Sequence, residues 1–445
     1  MLTPNDFGLI AMIGIFISIG DALIKGGLTN SLIRSIDLDE TDYSTVFYFN
    51  LIGSLVVYLI LYFLAPFIAN FYHQNELVSI IRLFSTIFII NAFSAVQITR
   101  LTKLMDFKTQ LIVSIPSIFF SSLLGIYMAY TGYGVWSLVW SAIAQSALST
   151  IQLWFYSNWR PSLVFSSAKF KVHFKYGMRI MLSSLLDIIF VNIYTLIIGR
   201  YFLTMQVGYY NRANTLLMFP VNNLSMIVSR VSFPLFASIQ NDDVRLKEVY
   251  KKNDANGSLY YCPNVGYNGS SSRTHVSVLF TEKWLPAVPY FQILCYNGIL
   301  YPIHSYNLQI LNIKGRSDLF LRLEVIKKLI VIVMVLISFQ FGIFGLLVGS
   351  TVTSTLAFFI NTYYSGKFIN YKALEQFKDL FPILLISVFT GFIIYTLDTS
   401  ISANYLNDFF RIILQSSFGI ILFVILSMLF KVSSFKELKI IIFKR

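Results

Sequence analysis

The chain of 445 residues carries 34 Lys and Arg against 21 Asp and Glu, a net charge of +13, yet only 12% of its residues are charged. With 56% hydrophobic and 17% aromatic residues and a mean hydropathy of +0.68, it has too little polar surface to coat a soluble globule of this size. The basic residues cluster in short segments between long apolar runs, the pattern that sets membrane orientation and meets anionic lipid headgroups, so a nucleic-acid role is excluded.

A bilayer core about 30 Å thick needs about 20 helical residues per crossing, and lipid offers the backbone no other hydrogen-bond partner. Twelve apolar stretches of that kind predict spans at about 7–25, 46–70, 78–99, 109–130, 135–156, 177–198, 213–236, 288–312, 325–341, 343–366, 380–396 and 409–430. Runs such as Leu111 to Tyr130 lack the alternation that a barrel strand requires, so the fold class is all-α and polytopic. Met1 to Asp6 has no basic n-region, and no cleavable signal peptide is expected. Cys262 and Cys295 form no CxxC pattern and imply neither metal nor disulfide framework.

The connections alternate in charge. Arg34 with Lys25, then Arg100, Lys103 and Lys108, then Arg160, Lys169, Lys171 and Lys175 mark cytoplasmic loops, and the segments 71–77 and 131–134 between them carry no basic residue. After the seventh span, Arg245, Lys247, Lys251 and Lys252 read as cytoplasmic, and so do Lys314, Arg316 and Arg322. One apolar span separates these two groups, so one crossing is missing. It must fall in the polar, Asn- and Gly-rich stretch 253–275. That stretch is either a long soluble loop or the product of a shifted reading frame, and the charge pattern on both sides favours the shifted frame. Met1 would likewise start outside, as if a helix once preceded it. Lys431, Lys436, Lys439, Lys444 and Arg445 predict a cytoplasmic C-terminus. The division expected is 1–237 as a first bundle, 238–287 as a connection and 288–445 as a second bundle.

The blocks LTPNDFGLIAM at the start, GLTNSLIR at 27–34, STVFYFN at 44–50, APFIANFY at 65–72, GYYNRAN at 208–214, EKWLPAVPYFQILC at 282–295 and SYNLQILNIKGRSDLFLRLEVIKK at 305–328 carry a resemblance. They resemble the polysaccharide-exporter and O-antigen-flippase branch, colanic-acid exporters included, of the multidrug/oligosaccharidyl-lipid/polysaccharide flippase superfamily. The resemblance implies fourteen helices, two more than the twelve read here, in two pseudo-symmetric bundles around a central cavity. It also implies translocation of undecaprenyl-pyrophosphate-linked oligosaccharide repeat units across the bacterial cytoplasmic (inner) membrane for O-antigen, colanic acid or capsule synthesis, coupled to an ion gradient. Polysaccharide polymerase and export proteins are the implied partners. A faint internal echo agrees: Gln97, Ile98 and Asp106 recur as Gln309, Ile310 and Asp318 at an offset of 212.

A charge at mid-bilayer costs about 2.5–3.5 kcal/mol on insertion scales, so it tends to face a cavity or a partner. Lys25, Arg82, Arg212 and Arg230 are the candidates to bind the anionic headgroup, and Asp21 and Asp187 to bind a coupling cation. Each has a plainer alternative. Asp21 and Lys25, four apart, can neutralise each other; Arg82, Arg212 and Arg230 can anchor at the interface; Asp187, amid MLSSLLDIIFVNIY, can hold a structural hydrogen bond. Gly345 and Gly349 form a GxxxG pair suited to tight packing within the bundle.

The four histidines are scattered, and there is no HExxH, P-loop or GxSxG motif, so no enzyme, cofactor or metal site is expected. Two other classes stay open: a membrane polysaccharide polymerase or ligase, and a multidrug exporter of the same superfamily. Lys25, Arg82 and Arg230 tilt the reading toward an anionic glycan lipid.

Overall fold

The computed structural model describes residues 2–25, 28–35, 37–253, 269, 272–400 and 408–430. The frameshift reading of 253–275 falls largely on residues 254–268, 270 and 271, outside the described residues, and the C-terminal basic run 431–445 lies outside them too. The described chain is helical, without strands. It divides into two compact units, Met1–Gly208 and Tyr209–Arg445.

The first unit contains α1 (Pro4–Lys25), α2 (Leu28–Arg34), α3 (Glu40–Tyr72), α4 (Leu77–Phe84), α5 (Thr86–Lys103), α6 (Phe107–Tyr130), α7 (Val135–Tyr156), α8 (Ser167–Val191), α9 (Ile193–Tyr201) and the start of α10 (Thr204–Ser238). The second continues with the rest of α10, α11 (243–253), α12 (Ser272–Phe280), α13 (Val288–Ile313), α14 (Ser317–Ser338), α15 (Gly342–Ile369), α16 (Ala373–Ser400) and α17 (Asp408–Leu429). All twelve expected spans fall on helices, and the 213–236 span groups with the second unit.

Among the described residues, seven stretches are long and apolar enough to cross a bilayer, or eight if the α8–α9 pair counts as one. One of the seven, Asp318–Ile369, is 52 residues long and holds both α14 and α15. α7 falls outside the count because it is rich in hydroxyls and amides, and these serve packing: Ser141 donates to the Ser121 carbonyl at 2.8 Å and Gln152 to Ser117 Oγ at 2.9 Å. The span expected to run unbroken through 177–198 is instead bent by 48° between α8 and α9. The cause is local, because Asn192 turns its amide back on the Ile188 carbonyl at 2.8 Å and competes with the helix ladder.

Helix starts follow the capping residues. Asp39 accepts from the amides of Thr41 and Asp42 while Asp42 accepts from Asp39 N, a capping box that opens the 33-residue α3. Asp106 caps α6 through Thr109 N at 3.1 Å. Within the bilayer, helix association rests on close packing. At Gly349 an added Cβ would lie 2.6 Å from Ser338 Oγ, and at Gly345 one would lie 2.5 Å from the Ser338 carbonyl, so the GxxxG pair clasps α15 to the end of α14. Outward, Phe63, Phe67, Ile115 and Phe119 are exposed, as a lipid-facing belt requires.

Both units contain a three-helix unit of the same make. α5 and α7 run parallel, with Thr150 donating to the Ile90 carbonyl and Trp154 to that of Phe93, and α6 returns between them in the chain. α13 and α15 are likewise parallel and joined through α14, with Asn297 bonded to Ser350 and Asn307 to Ser365. The turns entering α6 and α14 match bond for bond: 104 to 100, 105 to 102 and 106 to 101 in one, 314 to 310, 315 to 312 and 316 to 311 in the other. Met105 and Gly315 share the left-handed conformation there, at φ 54° and 69°. The backbone register is therefore 210, which corrects the echo of 212: Gln97 corresponds to Asn307, and Asp106 to Arg316.

Candidate functional site

The first unit holds Asp21, Lys25, Arg82 and Asp187, and the second Arg212 and Arg230. Lys25 ends α1, and its side chain lies outside what is described. Asp21 is half-buried one turn earlier. Arg82, half-buried in the last turn of α4, donates from Nε to the Tyr62 carbonyl at 3.4 Å and lays its guanidinium 4.3 Å above the Tyr62 ring. Arg212 stands between the rings of Phe280 and Trp284, at 5.4 and 5.8 Å. Arg230 is exposed on α10. Asp187, which the sequence suggests to be buried, is exposed on α8.

The more buried acids come from elsewhere. Asp42, in the first turn of α3, accepts from Lys169 Nζ at 2.9 Å and pairs with His173 Nε2 at 3.1 Å, both on α8. His173 Nδ1 meets Ser31 Oγ of α2 at 2.8 Å, so three helix ends are tied through one imidazole. The Lys169 ammonium also bonds Asp39 and holds its carboxyl down at about 2, against an ordinary 3.8. Lys169 is in turn pushed up by Asp39 and Asp42. Sequence reading missed this cluster because Ser31, Asp42 and His173 are up to 142 positions apart.

In the second unit, Asp398 near the end of α16, itself half-buried, gathers Arg411 Nη2 at 2.8 Å, Gln415 Nε2 at 2.7 Å and Thr274 Oγ1 at 2.8 Å, its three partners being buried. Arg411 stands inside the apolar run FFRIILQ, an isolated charge that was a legible signal for this pair. At the other end of the unit, Lys247 pairs with Glu375 at 3.3 Å and Lys251 with Asp379 at 3.0 Å, around the buried ring of Tyr371. Between these ends a polar seam joins α13 to α15, running through Asn297, His304 and Asn307 on one helix and Ser350, Ser354, Asn361 and Ser365 on the other.

The first unit also opens a cleft of about 580 Å³, with Asn5, Tyr72, Gln74, Arg200, Tyr201 and Gln206 in its lining. Arg200 donates to the carbonyls of Asn70 and Phe71 and to His73 Nε2 at 2.6 Å, so its positive charge sits on the C-terminal end of α3. Amides and aromatic rings suit polar, ring-shaped ligands, whereas acid–base chemistry would need a paired acid and base that this cleft lacks among the described residues. Among the described residues no group of three or more His, Cys, Asp or Glu is placed to hold a metal.

Residues 1–289, well over half of the chain, match the family described as "Polysaccharide biosynthesis protein". The chain belongs to that family. Among its relatives, the teichuronic acid biosynthesis protein TuaB of Bacillus subtilis (strain 168) is 29% identical over 299 residues, 66% of this chain and 61% of TuaB. The match thus spans less than two thirds of TuaB's length. The lipopolysaccharide biosynthesis protein WzxC of Escherichia coli (strain K12) is 24% identical over 372 residues, 81% of this chain and 75% of WzxC. In fold, the chain is similar to the lipid II flippase MurJ in an inward closed conformation, with a TM-score of 0.76 at 16% identity, covering 96% of this chain and 93% of MurJ. The protein is a multi-pass membrane protein of the polysaccharide biosynthesis family with a flippase-like transporter fold.

Proposed function

We propose that this protein is a flippase that carries lipid-linked oligosaccharide repeat units across the bacterial cytoplasmic membrane for surface polysaccharide synthesis, with the C-terminus on the cytoplasmic side and an ion gradient as driving force. The observation that carries the reading is the flippase fold over nearly the whole chain, in a family whose relatives serve polysaccharide biosynthesis. The buried polar seams support it, because lipid-facing helices have no use for such groups. Lys25 and the exposed Arg230 are proposed to meet the pyrophosphate. Arg82 and Arg212, already engaged by aromatic rings, are proposed to add positive potential to the path. Asp21 and Asp187 are the proposed cation contacts.

A deletion strain tests this. The expected result is accumulation of undecaprenyl-linked repeat units on the inner leaflet, reversed by the cloned gene. Normal flipping with unpolymerised product would favour the polymerase, and restored resistance to cationic drugs without any change in lipid-linked glycan would favour the multidrug exporter.

A further inference from the structure

His304 lies mid-way along α13, and both its ring nitrogens are committed. Asn361 Nδ2 lies 3.3 Å from Nδ1, and an amide NH₂ can only donate, so Nδ1 carries a lone pair and Nε2 carries the proton. That Nε2–H donates to Ser354 Oγ at 3.3 Å. The imidazole is therefore neutral here, held in one tautomer by two side chains of α15. Asn361 is buried, and its other atom, Oδ1, has no hydrogen-bond partner among the described residues. A buried amide oxygen without a donor is a standing cost, on the order of 1–3 kcal/mol, that calls for an explanation.

The two observations fit one chemistry. A proton arriving from water adds to the Nδ1 lone pair and leaves the ring with a charge of +1. Nδ1–H would then confront the Asn361 NH₂, donor against donor. Turning the carboxamide over replaces that clash by an Nδ1–H donation to Oδ1, the atom that now lacks a donor. We propose that His304 and Asn361 form a proton-binding site in the second unit, at which uptake of one proton reverses the Asn361 amide and rewrites the α13–α15 contact.

The surroundings make the change consequential. From α14 the charge that acts on His304 is Lys327, which is itself paired with Glu324. From α15 come Asn361 and Ser354, neither of which titrates near neutral pH. From α16, Leu380 packs with Leu300, Ile303 and Phe358 in an apolar cluster around the same turns. On α10, Ser229 meets Ser305, the residue after His304, and its neighbour Arg230 is exposed. The one carboxylate among these groups, Glu324, is already paired with Lys327, so a new charge there biases the unit toward an arrangement that admits water or anionic substrate. This assignment rests on the flippase reading, for which it supplies the site where an ion gradient is read.

The test uses the full chain in lipid nanodiscs, with ¹⁵N-labelled histidine and His304→Gln to assign the resonance. From about pH 8 to about pH 3, a range extended below the usual histidine window because the site lies in an apolar cluster and faces Lys327, the expected spectrum starts as the Nε2–H tautomer. It then gains a proton at Nδ1, and the Asn361 side-chain amide shifts at the same midpoint. An Nδ1–H tautomer at high pH, no proton uptake at His304 over the range, or an Asn361 amide that stays still would overturn the proposal. Asn361→Leu, which keeps the packing volume and removes Oδ1, is expected to abolish the coupled shift and lower the midpoint. In the deletion strain, His304→Gln present at wild-type level is expected to export polysaccharide about tenfold less. Wild-type export by that variant sinks the proton site and leaves the flippase reading standing. A wild-type chain that flips no lipid-linked glycan defeats the flippase reading instead, with the spectra still deciding the site.

Discussion

The hairpin unit α5–α6–α7 and its counterpart α13–α14–α15 share a backbone turn, a left-handed residue and a parallel outer pair, yet their seams differ in chemistry. In the first, α7 hydroxyl and indole donors reach main-chain carbonyls of α5. In the second, side chains bond side chains, and a histidine stands where the first has Ser94, 210 positions earlier. Main-chain acceptors cannot change protonation, whereas a side-chain seam with an imidazole can. The difference shows how one repeated scaffold can serve as a static support in one unit and as a responsive element in the other.

The largest effect distinguishing the two units is expected at their helix ends. Asp42→Ala removes a buried carboxylate from between Lys169 and His173 and should cost about 3 kcal/mol in thermal unfolding. Glu375→Ala, which breaks the more exposed Lys247 pair, should cost less than about 1 kcal/mol. Equal losses would show that burial does not separate the two clamps.

Next come the glycines. Gly345→Ala places a methyl 2.5 Å from a backbone oxygen and should cost about 2 kcal/mol. Gly125→Ala in the first hairpin meets the Ser141 side chain at 3.0 Å and should cost less than half of that, by the shift in unfolding midpoint. A double-mutant cycle on Asn307 and Ser365 should return a coupling of about 1 kcal/mol, and the Gln152–Ser117 cycle a smaller one, since Asn307 is the more completely buried.

The smallest effect is a shared acid window. Lys169 holds Asp39 and Arg316 holds Asp318 at about 2, below the ordinary 3.8. A carboxyl depressed in the folded state stabilises above its unfolded value, and that contribution fades as pH falls from 3.8 toward 2. Amide exchange at the starts of α3 and α14 should therefore accelerate together in that window. Acceleration beginning near pH 6 would point to a histidine instead.

The helices at the twelve expected spans were legible, most directly those long and apolar enough to cross, because a run of apolar residues matched to bilayer thickness is a property that accumulates locally. The blocks that carry the family resemblance lie along the chain in the same way, and the family match over residues 1–289 agrees with them. The break after α8 was harder to see, because a single Asn192 acts against a run that otherwise reads as continuous. Of the site, Arg82 and Arg212 were legible as isolated charges, but not the aromatic rings that hold them. Asp42, His173 and His304 were passed over because their partners lie 50 to 142 positions away, where no spacing rule reaches.

By itself the sequence determined that the chain lives in lipid, where it crosses and where basic residues mark its loops, since burial of apolar surface and the distribution of charge are sums over neighbouring residues. Tertiary structure alone decided which polar groups meet. Whether a buried histidine is an inert strut or a proton site turns on a hydrogen-bond partner's orientation, and that is a property of two helices brought together.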